Sequence, residues 1–216
     1  MKYACLVLDH DDTVVNSTAT IHFPAFMQAM EVLRPGFTMT LEEYFIYNFD
    51  PGFTALCEDI LHFTPEETEY QSRNWERYVA SHIPSVYEGI APILHRFQQE
   101  GGHICVVSHS LKENILRDYE AGGLPRPELV FGWDLPPEHR KPYPWPLEQI
   151  MKALSLGPEE LLMVDDLKPG KDMADACGVP FAAACWAHHI PSILQYMKEN
   201  CSCCLSSPKE LGEMLF

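Results

Sequence analysis

Tyr3-Ala4-Cys5-Leu6-Val7-Leu8 runs directly into Asp9-His10-Asp11-Asp12-Thr13. The apolar run, bounded by polar residues, predicts a strand buried on both faces, as in a parallel sheet. The carboxylates of Asp9, Asp11 and Asp12 then fall at its carboxyl end, where open α/β sheets bind their ligands. These neighbouring acids repel one another, so the cluster needs a cation or a proton to offset it. Taken alone, the stretch also fits an acidic, solvent-facing turn.

The rest of the chain weighs against that bland reading. A second apolar run, Leu161-Leu162-Met163-Val164, ends in Asp165-Asp166, and a third, Ile104-Cys105-Val106-Val107, ends in Ser108-His109-Ser110. Between them lies Lys141-Pro142-Tyr143-Pro144. Two acidic strand ends, one hydroxyl strand end and a lysine suit a phosphate held beside Mg2+. Carboxylate oxygens match the octahedral oxygen ligation of Mg2+ and leave positions for phosphate and water. Serine and lysine supply donors for phosphoryl oxygens.

These four segments, in this order, resemble the motifs of the haloacid dehalogenase superfamily. The likeness is to its phosphoglycolate phosphatase and β-phosphoglucomutase branch, which carries a helical cap after the first motif. Asp9, Asp11 and Thr13 match the first motif, Ser108 the second, Lys141 to Pro144 the third, and Asp165 with Asp166 the fourth. The resemblance implies that Asp9 attacks phosphorus to form an aspartyl-phosphate. It implies that Asp11 protonates the leaving group and then activates water, and that Ser108 and Lys141 hold the phosphoryl group. It also implies Mg2+ as cofactor, with Asp9, Asp11 (through its backbone carbonyl), Asp165 and Asp166 as the ligand set. Gly170 and Gly178 fit the family pattern best when Asp166 takes the aspartate position, leaving open which of the two acids binds metal directly. Asp172 is a weaker candidate to orient Lys141, and equally fits a cap or a solvent-facing position on the helix after Gly170. Asp12 is read as a surface or capping residue, Thr13 as ordering the turn, and His10 as pointing away from the site.

Composition narrows the partners. The chain has 216 residues and a formal charge of -16, from 31 acids against 15 Lys plus Arg. Such a charge argues against a nucleic-acid backbone or an anionic membrane as main partner. The expected partner is a small phosphate ester, with the protein a monomer or homodimer. Met1-Lys2-Tyr3 leads straight into the first strand without a charged leader, so a cytoplasmic location is expected. Of the eight cysteines, Cys201, Cys203 and Cys204 cluster near the end without the second half of a zinc ribbon, and are read as plain thiols.

Periodicity and punctuation then set out the organisation. Helices are expected over 17–34, with Pro24 marking a bend or a late start, after the capping box Thr40/Glu43, over 50–62 and over 65–81. No clear strand is read between about 16 and 85. That block is expected to be an all-helical cap domain over 16–85, and 1–15 with 86–216 a Rossmann-like catalytic core. The core has strands over 3–8, 103–108, 128–132, 161–164 and 179–185, alternating with helices, which implies a parallel sheet covered on both faces. The Pro-rich loop 133–141 is expected to stay exposed. The cap is expected to close over substrate and to line it with His22, Phe23, Phe49, Phe53, Arg73 or Trp75, although these aromatics equally suit a cap core. The loop 48–53 lacks the arginine that related sugar-phosphate enzymes carry there. The leading expectation is therefore a Mg2+-dependent phosphate monoester hydrolase. A sugar-phosphate mutase and a catalytically silent phosphate-ester binding protein are the alternatives.

Overall fold

The structure is a computed structural model that describes residues 2–216, and it divides into two compact units. One comprises the chain up to Asn16 together with Ser85–Phe216; the other is Ser17–Pro84.

The first unit is built on a parallel sheet of order β5-β4-β1-β6-β7-β8. Its strands are β1 (Cys5–Leu8), β4 (His103–Val107), β5 (Leu129–Phe131), β6 (Leu161–Asp165), β7 (Phe181–Ala184) and β8 (Cys204–Leu205). Every side chain of β1 is buried, as its unbroken apolar run predicts. Cys5 stands opposite His103 on one side and Leu161 on the other, so β1 is central. The chain moves from β1 to β4 and β5 on one side, then crosses to β6 on the other. The carboxyl end of β1 is thus the point where the winding changes direction, the usual crevice of an open α/β sheet.

The helices of this unit follow the strands: α5 (Ile90–Gln99), α6 (Lys112–Ala121), α7 (Trp145–Leu154), α8 (Lys168–Cys177), α9 (Pro191–Asn200) and α10 (Pro208–Leu215). Leu6, Leu8, Ile104, Val106, Leu162 and Val164 from the sheet pack with Leu94 and Phe97 of α5 and Leu211 of α10 in one core. Residues β2 (Val15–Asn16) and β3 (Ser85–Val86) form a short antiparallel ribbon at the two crossings into the second unit. This ribbon and β8 were not legible in the sequence, because two-residue strands carry no alternation to read.

The second unit contains α1 (Phe23–Leu33), α2 (Leu41–Phe49), α3 (Phe53–Ala55) and α4 (Pro65–Ser81). Helix α1 starts later than the expected residue 17. A wide turn over Thr18–His22 precedes it, and Pro24 occupies its first turn, where a missing N–H costs nothing. Thr40 with Glu43 and Thr64 with Glu67 form complete capping boxes. The helix expected over 50–62 begins instead at Phe53, after Gly52 at φ 104°, a conformation glycine accommodates without a Cβ clash. Phe26, Met30, Tyr44, Leu56 and Cys57 form the core, with Phe23 and Phe53 packed against it. Arg34 on the α1 side donates through Nη2 to Glu67 at 2.9 Å and so ties α1 to the start of α4. Among the described residues no helix is long and apolar enough to cross a membrane.

Candidate active site

Three neighbouring strands deliver the site. Asp9 follows β1, Ser108 follows β4 and Asp165 ends β6, so parallel pairing places all three at the same edge of the sheet. The loop after β5 adds Lys141. Its ammonium donates to Asp9 Oδ1 at 2.6 Å and to Asp165 Oδ2 at 2.7 Å, and all three side chains are buried. The Pro-rich loop 133–141 therefore departs from the expected exposure at its end: burying the lysine is the cost of reaching two carboxylates. Burial opposes the charge of Lys141, but Asp165 and Asp9 outweigh it and hold the amine above the ordinary lysine range.

Asp165 is fully engaged. Its second oxygen accepts the Leu167 N–H at 2.8 Å. A Cβ on Gly170 would come 2.1 Å from Asp165 Oδ2, so the first turn of α8 must be glycine there for this carboxylate to reach Lys141. Asp166 differs. It is buried, its Oδ2 has no hydrogen-bond partner among the described residues, and His188 Nε2 stands 3.8 Å away. Burial raises the Asp166 carboxyl above the ordinary range, and Asp165, Asp12 and Asp9 add to the rise. Burial likewise raises Asp9, with Lys141 pulling against it and Asp165 and Asp11 reinforcing it.

Asp9, Asp165 and Asp166 each offer an oxygen within 4.8 Å of the others. Together with the orphaned Asp166 oxygen, this donor set fits a hard divalent cation, which prefers carboxylate oxygen. Asp11 does not join the triad through its side chain. Its Oδ2 accepts the Ser110 hydroxyl at 2.7 Å and the Ser108 hydroxyl at 3.2 Å. Ser108 Oγ in turn accepts the Ser110 N–H at 3.0 Å.

One reading needed correction. Asp12 is not a surface residue. It is buried at φ 59°, a left-handed conformation that aspartate tolerates, and Tyr87 Oη donates to it at 3.5 Å. Asp172 pairs with Lys168 at 2.8 Å on α8 rather than orienting Lys141. Arg73 lies exposed and pairs with Glu69, while Trp75 donates to His22 Nδ1 at 2.9 Å. The three late cysteines form no metal-ligand group among the described residues; Cys201 contacts Met197 Sδ at 3.5 Å. His10 bonds Asp118 at 3.1 Å, away from the acid cluster as alternation predicts.

Ser110 and His109 were missed as site residues. His109 Nε2 lies 2.9 Å from the Lys141 carbonyl, which only accepts, so Nε2 must carry the proton. The ring is edge-on to Trp133, whose own ring lies under the Arg140 guanidinium. Burial and nearby Lys141 push the His109 pKa down to about 4. An NMR titration is therefore expected to find this ring neutral from neutral pH down to about pH 5. A midpoint near the ordinary 6.5 would show that the ring is solvated and the tie to Lys141 broken.

The haloacid dehalogenase-like hydrolase family model matches residues 6–184, from within β1 to the end of β7. The chain belongs to this family. It is an enzyme of the hydrolase class, and the match embraces Asp9, Asp11, Ser108, Lys141, Asp165 and Asp166. A pyrophosphatase, PpaX of Halalkalibacterium halodurans, is 24% identical over 170 residues, covering 77% of this chain and 76% of that protein. Among solved structures, a predicted phosphoglycolate phosphatase from Haemophilus somnus superposes with a TM-score of 0.81 at 16% identity, covering 100% of this chain and 99% of the other. CbbY from Rhodobacter sphaeroides, in complex with xylulose-(1,5)bisphosphate, gives 0.72 at 18% identity, covering 97% and 96%. These likenesses establish the fold.

Proposed function

We propose that the chain is a Mg2+-dependent phosphate monoester hydrolase that works through an aspartyl-phosphate on Asp9. The observation that carries this is the buried Asp9–Lys141–Asp165 bridge beside an Asp166 oxygen that has no hydrogen-bond partner among the described residues. A purely structural ion pair has no use for that extra buried carboxylate, which burial makes expensive to ionise without a cation. The names of the relatives, pyrophosphatase and phosphoglycolate phosphatase, both denote hydrolysis of a phosphoryl bond, an anhydride in the first and a monoester in the second.

Asp9 and Asp166 would hold Mg2+ directly, with the Asp11 backbone carbonyl, while Asp165 is spent on Lys141 and Leu167. Bound Mg2+ would neutralise phosphoryl charge and favour the ionised carboxylates. Asp9 attacks phosphorus in line, forming its own O–P bond as the ester O–P bond breaks. Lys141 and the Ser108 hydroxyl hold phosphoryl oxygens in a water-poor pocket, where such donors are strongest. Asp11 gives its proton to the leaving alcohol, then takes one from the water that attacks the aspartyl-phosphate. None of these residues lies in Ser17–Pro84, so we assign substrate choice to that helical unit.

The test is p-nitrophenyl phosphate hydrolysis before and after metal removal. Activity is expected to vanish after EDTA treatment, to return with Mg2+ and to return poorly with Ca2+, whose larger, looser shell suits in-line transfer badly. Full activity in a preparation shown by metal analysis to hold no divalent ion would sink the assignment. A mutase would instead turn over sugar phosphates only with a bisphosphate primer, and a silent binding protein would show no metal-dependent turnover.

A further inference from the structure

Lys141 comes to the site from a loop that is fastened to the end of β4 at both of its ends. At the start, the Trp133 N–H donates to the Ser110 carbonyl at 2.8 Å, and Asp134 Oδ1 accepts the Lys112 N–H at 3.1 Å. A Cβ on Gly132 would come 2.6 Å from that same Ser110 carbonyl, so this close approach needs glycine. Pro136, Pro137 and Glu138 then run exposed. At Lys141 the fastening is made by the side chain next to Ser108: His109 Nε2 donates to the Lys141 carbonyl at 2.9 Å. The imidazole has support of its own. It stands edge-on to Trp133 at 5.4 Å, and the guanidinium of Arg140, the residue before the lysine, covers that indole at 4.1 Å.

We propose that His109 is a positioning residue for Lys141, tying the backbone that carries the phosphoryl-binding ammonium to the strand end that carries Ser108. This rests on the hydrolase reading above. The Lys141 ammonium has three N–H donors; Asp9 and Asp165 take two, which leaves one for a phosphoryl oxygen. Its partners change as the reaction runs. When Asp9 forms its O–P bond and the ester O–P bond breaks, the carboxylate becomes a neutral acyl group and its charge is gone. When water forms a bond to phosphorus and the Asp9 O–P bond breaks, the carboxylate returns. The bond from His109 goes to the main chain, so it is the same in both states. It also sets the spacing of the two phosphoryl donors through one side chain instead of through the 32 positions between residues 109 and 141. A neutral ring suits this place, since an imidazolium would set a second positive charge beside Lys141; burial keeps the ring neutral near pH 7.

The test compares His109→Gln with His109→Met in the full chain. The two side chains share a length, and only glutamine keeps an N–H at the reach of Nε2. Three quantities are measured: kcat/KM for p-nitrophenyl phosphate with Mg2+, inhibition by inorganic phosphate, and the rise in thermal midpoint on adding Mg2+. The methionine variant is expected to lose about tenfold in kcat/KM and to need about tenfold more phosphate for inhibition, the worth of one hydrogen bond. Glutamine should stay within about threefold of wild type in both. The Mg2+ response should match wild type in each, because His109 touches none of the carboxylates proposed as ligands. Equal losses in the two variants, or no loss in methionine, overturn the positioning role. A Mg2+ response that falls in step with activity also overturns it, since the whole site has then loosened. A measurement on wild type stands even where a variant folds badly: 15N NMR of the ring must find the proton on Nε2, and a proton on Nδ1 alone removes the bond to Lys141 and the proposal with it. Wild type without Mg2+-dependent turnover defeats the hydrolase reading itself, an outcome that no comparison of the two variants produces.

Discussion

Replacing Asp9 by Asn is expected to lower turnover by about 10⁴-fold or more while the chain stays folded. An amide cannot form the acyl-phosphate bond at a useful rate, and among the neighbouring carboxylates Asp165 is held by Lys141 and Leu167 and Asp11 accepts from its serines, while Asp166 is the one assigned to the cation. Folding should survive because the change is isosteric and removes one of several mutually repelling buried acids. Lys141 keeps its bond to Asp165, 2.7 Å, as a counter-charge. In metal-free buffer the thermal midpoint is expected to match or exceed that of wild type. Added Mg2+ should raise the wild-type midpoint more than the variant's, because binding to the native state stabilises it in proportion to affinity. Multiple-turnover activity above a small fraction of wild type would remove Asp9 as nucleophile. An equal Mg2+ response in both proteins would remove it as a ligand.

Much of this arrangement is written into local sequence. The run 3–8 is apolar throughout, which only a strand covered on both faces requires, and it is the central strand β1. The capping boxes at Thr40 and Thr64 fix two helix starts because Ser/Thr and Glu three residues apart satisfy the same orphan N–H groups wherever they occur. The contributions of Ser110, His109 and Asp12 were not legible. Ser110 matters through a bond to Asp11 across 99 positions, and His109 through one to Lys141 across 32. No periodicity encodes such pairings. Asp12 was misread for a different reason: three acids within four residues look like a solvated turn, whereas the left-handed backbone at Asp12 folds the last of them inward toward Tyr87. The aromatics of the helical unit were ambiguous from the start, and Phe23 and Phe53 prove to be packed against its core.

Lys141→Ala should produce the largest loss of stability of any single change in the site. The lysine is buried between Asp9 and Asp165, and removing it leaves two buried carboxylates facing each other with their shared cation gone. Breaking a buried pair in this way costs about 3–5 kcal/mol, because the stranded charge keeps its desolvation penalty and loses its compensation. The loss should depend on pH, and the sign follows from Asp9. Burial and its acidic neighbours already raise its carboxyl in the native state, and without Lys141 nothing there pulls it down. A carboxyl raised on folding binds more protons in the native state than in the unfolded one, so its stabilising contribution is complete below the unfolded value and is lost as pH rises through the folded one. The deficit of the variant is therefore expected to be largest at neutral pH and to shrink on acidification toward about pH 4, the ordinary carboxylate range. Urea unfolding in metal-free buffer at several pH values measures this directly. Added Mg2+ at neutral pH should recover part of the loss, since a divalent cation in the Asp9–Asp165–Asp166 cluster replaces the missing charge. It should not restore turnover, because the donor to the phosphoryl group is still absent. A deficit below about 1 kcal/mol, or one independent of pH, would mean that water reaches the two carboxylates and that the buried bridge is not what holds this end of the sheet together.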